Sequence, residues 1–435
     1  MKDFGEKYKT KNKSNKKTKP PKEQIINQAI QFHINGDIPK AAKYYQYCIN
    51  QGFDDPRVFS NYAGFFRSSG ELKEAEILLR KAIELDPDFA AAHSNLGSIF
   101  NDLGKLKDAE LSFRKALKLN PDFAEAHSNL GNVLCDLGKL KELILLSEST
   151  LKSRSINQGY KLLASLRITI ANLLKKDFSK TLLSINKTKE LINQGAINTI
   201  KNKKNKKYAS TFFKFITSLY PLLEKDNNNP DLKQIPHIGE SHCLSFAYQT
   251  ISISSQMQKI KPVLITGAKA WHFASNKHNR WKDSLKQQLK KQTYSSAVLI
   301  SFGEIDCRKD EGILTYTLKK NRDISQICKK TIDGYLNYME DELSPTYSEK
   351  YYFGIPAPSR KKELLDDLDI KRIKIIKLYN DYLKKEVLSR GSYFVDVYSL
   401  TSTINGENNN LYMCDQVHLS PKCLSILFKD HLYKT

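Results

Sequence analysis

The chain has 435 residues, enough for two or three domains, each with its own core. Hydrophobic residues at 40% and aromatics at 10% exclude a largely disordered polypeptide. The formal net charge of +23 points to an acidic partner, an anionic membrane surface, nucleic acid, or a solvated basic arm.

Part of that charge is local. Residues 1–22 carry nine lysines against Asp3 and Glu6 and close on Pro20-Pro21 and Lys22. Low hydrophobicity and high charge predict a disordered basic tail over 1–21. Beyond Phe4 and Tyr8 the tail has no aromatics among its lysines to stack bases, so contact with nucleic acid or a membrane surface is expected to be non-specific at most. The charged first residues predict no secretory signal, and no apolar run reaches the ~18 residues a membrane span needs. Cys48, Cys135, Cys243, Cys307, Cys328, Cys414 and Cys423 are scattered, with no C-x-x-C pair. That spacing predicts reduced thiols in a cytoplasmic protein, with neither a zinc site nor a disulfide framework; no metal-ligand cluster and no G-x-G-x-x-G is visible, and no cofactor is expected.

Over 22–143 the chain repeats itself. PDFAAAHSNLGSIFNDLGKLKDAELSFRKALKLN (87–120) is followed by PDFAEAHSNLGNVLCDLGKLKEL (121–143), an offset of 34 residues. Asn61, Asn95 and Asn129 align, as do Gly36, Gly70, Gly104 and Gly138. Small residues recur at Ala63, Gly97 and Gly131, and again at Ala41, Ala75 and Ala109. The pattern resembles the tetratricopeptide repeat (TPR) family, which implies stacked units of two antiparallel helices. Each unit cannot bury its apolar face alone, so the stack shares one core. The resemblance implies a protein or peptide partner on the concave face; a rigid spacer is the other reading. The fourth unit loses the pattern in its second helix at Leu143, Ser147 and Thr150. Residues 144–225 are expected to be divergent helical hairpins that continue or cap the solenoid, followed by a polar linker over 226–234.

From 235 the periodicity changes. Short apolar runs at 235–239, 262–266, 296–302, 351–355 and 393–397 read as strands. Helical stretches are expected near 242–258, 280–292, 322–342, 364–389 and 421–432. Alternation of this kind predicts a mostly parallel five-stranded sheet with helices on both faces. Its chemistry should lie beyond the carboxyl ends of the strands.

Four strand ends carry unusual polar groups: Gly239-Glu240-Ser241-His242, then Gly267, then Gly303-Glu304-Ile305-Asp306 with Arg308, then Asp415-Gln416-Val417-His418. A serine hydroxyl needs a neighbouring base, and a histidine serves when a carboxylate fixes its tautomer. The set resembles the SGNH (GDSL-like) hydrolase superfamily over 235–435, which implies a flavodoxin-like α/β/α sandwich. By that resemblance Ser241 is the nucleophile, His418 the base and Asp415 its orienter, and the Gly267 N–H helps form an oxyanion hole. Gly303, Glu304, Asp306 and Arg308 line the same pocket. The implied reaction is esterase or acyl-transfer chemistry on a small O-acyl ester, such as one on a carbohydrate. Ile305 stands where the superfamily has the asparagine that donates to the oxyanion, a loss worth roughly 100- to 1,000-fold in rate. Arg308 could supply positive charge in its place.

Each residue also has a plainer use: Ser241 as a helix cap, Asp415 as a turn former, His418 as a hydrogen-bonded surface histidine, and Glu304 and Asp306 as carboxylates paired with Arg308. The alternative to a TPR-scaffolded serine hydrolase is therefore a catalytically weak or inactive SGNH-like domain in an interaction scaffold.

Overall fold

The computed structural model describes residues 21–223, 232–293, 295–359 and 366–434. The basic tail expected over 1–21 lies outside these residues except for Pro21, and the linker over 226–234 lies outside except for its last three. The chain forms two compact units that divide between Asn95 and Leu96.

The first unit contains α1 (Lys22–Ile34), α2 (Ile38–Asn50), α3 (Pro56–Ser69) and α4 (Leu72–Leu85), and the start of α5 (Ala90–Asp102). Short connections join α1 to α2 and α3 to α4, and the members of each pair pack together as antiparallel hairpins. Gly36 and Gly70 follow α1 and α3 at φ 78° and 83°, a left-handed conformation that ends a helix at little cost in glycine. Asp37 and Asp55 accept backbone N–H groups at the starts of α2 and α3. The buried face is Ile26, Ala29, Ala41, Tyr45, Val58 and Tyr62.

The second unit continues with α6 (Leu106–Leu119), α7 (Ala124–Asp136), α8 (Leu140–Lys152), α9 (Gln158–Leu174), α10 (Phe178–Asn193) and α11 (Lys203–Leu219). Gly97 of α5 faces Phe113 of α6, where a Cβ would lie 3.0 Å from the ring. α9 is buried on almost every side. Its Arg167 crosses to α7, donating to Ser128 Oγ at 3.0 Å and Asn132 Oδ1 at 2.9 Å, in space that only a residue as small as Gly131 leaves.

Seven strands follow: β1 (Gln234–Gly239), β2 (Thr250–Ile253), β3 (Gln256–Leu264), β4 (Ala297–Ser301), β5 (Glu349–Phe353), β6 (Tyr393–Val395) and β7 (Leu432–Tyr433). Their order is β2-β3-β1-β4-β5-β6-β7. β3, β1, β4, β5 and β6 are mutually parallel, whereas β2 and β7 add antiparallel edges. The sheet is thus mixed and seven-stranded, not the five-stranded sheet the apolar runs predict. The expected helix over 242–258 is instead a single 3-10 turn, Ser241–Leu244, and the β2–β3 hairpin. Ser254 and Ser255 at the hairpin tip have φ 49° and 63°. Two successive left-handed residues make a turn usually marked by Asn-Gly, so two serines hide it. At the other edge, β7 is only two residues long.

Helices α12 (Ala270–Ala274), α13 (Arg280–Leu289), α14 (Ile313–Lys320), α15 (Ile324–Leu343) and α16 (Asp367–Ser389) contribute to the core on one face of the sheet. The other face is covered by α17 (Val397–Thr401) and α18 (Leu424–Asp430). A third core joins α9, α10 and α11 to Cys243, Leu244, Ala247 and Tyr248, directly behind the end of β1. Within this unit the helical repeats also seat on α13. Ser284 Oγ donates to the Asp136 carbonyl at 2.8 Å, and a Cβ on Gly104 would lie 2.6 Å from the Asn279 carbonyl carbon.

Candidate active site

β1 ends where Gly239 sits beside Ser301 of β4, so close that a Cβ would lie 2.3 Å from Ser301 Oγ. The chain then breaks into Glu240 and the turn that begins at Ser241. This turn is one 3-10 turn, so the helix N-terminus expected at Ser241 is not formed. β3 ends alongside β1, with Gly239 opposite Leu264. Gly267, in left-handed conformation at φ 66°, turns the chain just beyond that edge.

The segment after Asn410 brings the other two groups. Asp415 Oδ1 accepts the N–H groups of Val417 and His418, both at 2.7 Å, which folds Asp-x-x-His into a tight turn. Asp415 Oδ2 then meets His418 Nδ1 at 2.8 Å, and His418 Nε2 lies 2.8 Å from Ser241 Oγ. With Nδ1 turned to a carboxylate it donates, which leaves Nε2 as an acceptor for the serine hydroxyl. Burial pushes the Asp415 carboxyl up, but the His418 ring and the two N–H groups outweigh it and hold its pKa to about 2. Burial lowers the His418 pKa, against the opposing pull of Asp415. The imidazole is therefore held neutral, the form a general base requires.

Two neighbours of this chain of bonds are not evident from the sequence. Phe215 of α11 stacks on the His418 ring at 3.6 Å between centroids. Glu240 lies against the serine itself: its Oε2 is 2.5 Å from both Ser241 N and Ser241 Oγ. Its Oε1 bonds His242 Nδ1, whose Nε2 contacts the Val417 carbonyl at 3.1 Å. Burial opposes ionisation of this pair, but mutual attraction wins: His242 is raised to about 9 and Glu240 is held well below the carboxylate range.

The third strand-end cluster is built differently from the expectation. Glu304 is buried and engages Arg308 at 2.7 Å and Arg372 at 3.4 Å, so Arg308 is already neutralised. Asp306 does not pair with Arg308. It accepts the N–H groups of Ala270 and Trp271 at 2.7 and 3.1 Å, anchoring α12. Burial, against those bonds, raises its carboxyl to about 6. Gly303, at φ 122°, lies where a Cβ would press on Tyr379 at 3.0 Å. Among the described residues no cluster of histidine, cysteine and carboxylate could hold a metal.

Two family profiles match, one described as tetratricopeptide repeat over 56–89 and one as TPR repeat over 97–138. The chain contains tetratricopeptide repeats. No curated protein matches it. Among solved structures, a MamA crystal structure is 23% identical at a TM-score of 0.35, covering 39% of this chain and 96% of that one. MamA from Desulfovibrio magneticus RS-1 is 16% identical at the same TM-score, 0.35, covering 40% and 96% of the two chains. YrrB, described as a TPR protein with an unusual peptide-binding site, is 18% identical at 0.34, covering 43% and 90%. Both profile matches fall in the helical half.

Proposed function

We propose that residues 235–435 form an SGNH-type serine hydrolase or acyl-transfer site on a small O-acyl ester, carried by a TPR scaffold. The observation that carries this reading is the run Ser241–His418–Asp415, with both links at 2.8 Å. In the forward step Ser241 Oγ attacks the acyl carbon and the carbonyl pair moves onto oxygen; the serine proton passes to His418 Nε2, whose imidazolium Asp415 stabilises, and on collapse His418 returns that proton to the departing alcohol, leaving the acyl group on Ser241. The order of the five parallel strands, β3-β1-β4-β5-β6, is 2-1-3-4-5 when those strands are numbered alone; this supports a flavodoxin-like fold with its site at the strand ends.

Residues 22–143 are proposed as the repeat scaffold and 144–225 as its cap. A cavity of about 530 Å³ lies between α7, α9 and the start of α11, lined by Asn129, Asn157, Tyr160, Asn202 and Asn205. Side-chain amides both donate and accept, which suits an extended peptide backbone and supports a peptide partner. All seven cysteines are unpaired, which supports a reducing, cytoplasmic setting. Among the described residues no helix is long and apolar enough to cross a membrane.

A second reading, an interaction scaffold with weak or absent turnover, is favoured by Ile305 at the superfamily's asparagine position and by Glu240 against the Ser241 N–H. Hydrolysis of p-nitrophenyl acetate and of acetylated sugars decides between them. The hydrolase reading expects turnover that Ser241→Ala abolishes; turnover equal in the two proteins would remove it.

A further inference from the structure

Glu240 occupies a place that a reacting serine site has to vacate. When Ser241 Oγ bonds to an acyl carbon and its proton moves to His418, the carbonyl electron pair shifts onto oxygen. That oxyanion lies one bond angle from Oγ and needs donors about 2.7–3.1 Å away, the Ser241 N–H among them. Glu240 Oε2 lies 2.5 Å from that nitrogen and 2.5 Å from Oγ, so it takes up the N–H donor the oxyanion needs and stands within the same reach of Oγ. It also competes with His418 for the single hydroxyl proton of Ser241. An ionised carboxylate there both fills the hole and repels the charge that must develop.

A second seat for the carboxylate is built behind it. Glu240, His242, His237, Ser301 and Glu304 line a small cavity of about 20 Å³, room for about one water-sized group. His237 is fully buried against Phe246 and Phe353, and Ser301 is more than nine-tenths buried. Both His237 ring nitrogens and Ser301 Oγ lack a hydrogen-bond partner among the described residues. Buried polar groups of this kind are normally satisfied. A carboxylate turning away from Ser241 would find donors there while remaining beside His242.

We propose that Glu240 is a self-inhibiting gate: seated on Ser241 it blocks the oxyanion position, and turned toward His237 and Ser301 it opens it. This rests on the serine-hydrolase reading above. The test is the rate of Ser241 labelling by a fluorophosphonate probe in the full chain and in Glu240→Ala. Glu240→Ala should label about tenfold faster or more, with the value of one oxyanion donor, about 10²–10³, as its ceiling. If the wild type labels and a folded Glu240→Ala labels no faster, the gate is overturned while the serine–histidine reading stands. If neither folded protein labels, the hydrolase reading falls and the gate falls with it. Should Glu240→Ala leave His242 unpaired and fail to fold, the Glu240→Ala/His242→Leu double variant is read by the same criteria. Replacing both members of a buried ion pair by apolar residues is often neutral.

Discussion

Asp415→Asn should lower kcat/KM for an activated ester by about 10⁴ while leaving the fold intact. The Val417 and His418 N–H groups both bond Asp415 Oδ1 at 2.7 Å. Only an oxygen can face two donors, so a side-chain amide is forced to keep its oxygen there and turn its NH₂ toward His418 Nδ1. The imidazole must then take the other tautomer, with the hydrogen on Nε2, and can no longer accept the Ser241 proton. Tautomer reversal of this kind costs about 10⁴ in rate in a serine protease triad, or about 5.4 kcal/mol of barrier. Ser241→Ala and His418→Ala should each cost more, up to about 10⁶, and their double variant no more than either alone. The assay is initial-rate hydrolysis, with thermal unfolding as a control because the substitution conserves volume. A loss below about tenfold would refute the pinned-amide argument, and additive losses in the double variant would refute a concerted unit.

Phe215→Ala removes a fully buried ring that packs on His418, and should cost about 3–5 kcal/mol in chemical denaturation as well as activity. Gly97→Leu should overpack the α5–α6 contact against Phe113 and cost about 1–3 kcal/mol; an unchanged melting temperature would show that this face is not packed as described. The raised His242 pKa contributes stability that is fully present below its ordinary 6.5 and lost as pH rises through about 9. Melting temperature should therefore fall more between pH 7 and 10 in the wild type than in the Glu240→Ala/His242→Leu double variant. Because burial lowers the His418 pKa, the acid limb of the pH–kcat/KM profile should lie below 6.5.

The helical half was legible because a repeat states its own register. Gly36, Gly70, Gly104 and Gly138 all adopt the left-handed conformation that closes a helix, so a 34-residue spacing of glycines marks the boundaries. The parallel strands announced themselves as short apolar runs, and Asp-x-x-His as a turn. What stayed hidden is physically distinct. The β2–β3 turn uses Ser254 and Ser255 in conformations that composition does not signal. Phe215 reaches His418 across 203 residues of chain, a contact only tertiary packing creates. Glu240 stands beside Ser241 in sequence, yet its bond to the Ser241 N–H depends on a break in the chain that no periodicity reveals. Of the two uses the sequence allowed Arg308, a positive charge for the oxyanion or a partner for Glu304, the fold forms the second.

The central claim is that Ser241 is an activated nucleophile whose base is His418. Mapping the fluorophosphonate adduct by peptide mass spectrometry tests it most directly. The account predicts an adduct on Ser241 in the wild-type chain and none in a folded His418→Ala variant. An adduct on another residue, no adduct in either the wild type or a folded Glu240→Ala variant, or labelling of Ser241 that survives the loss of His418 would contradict it.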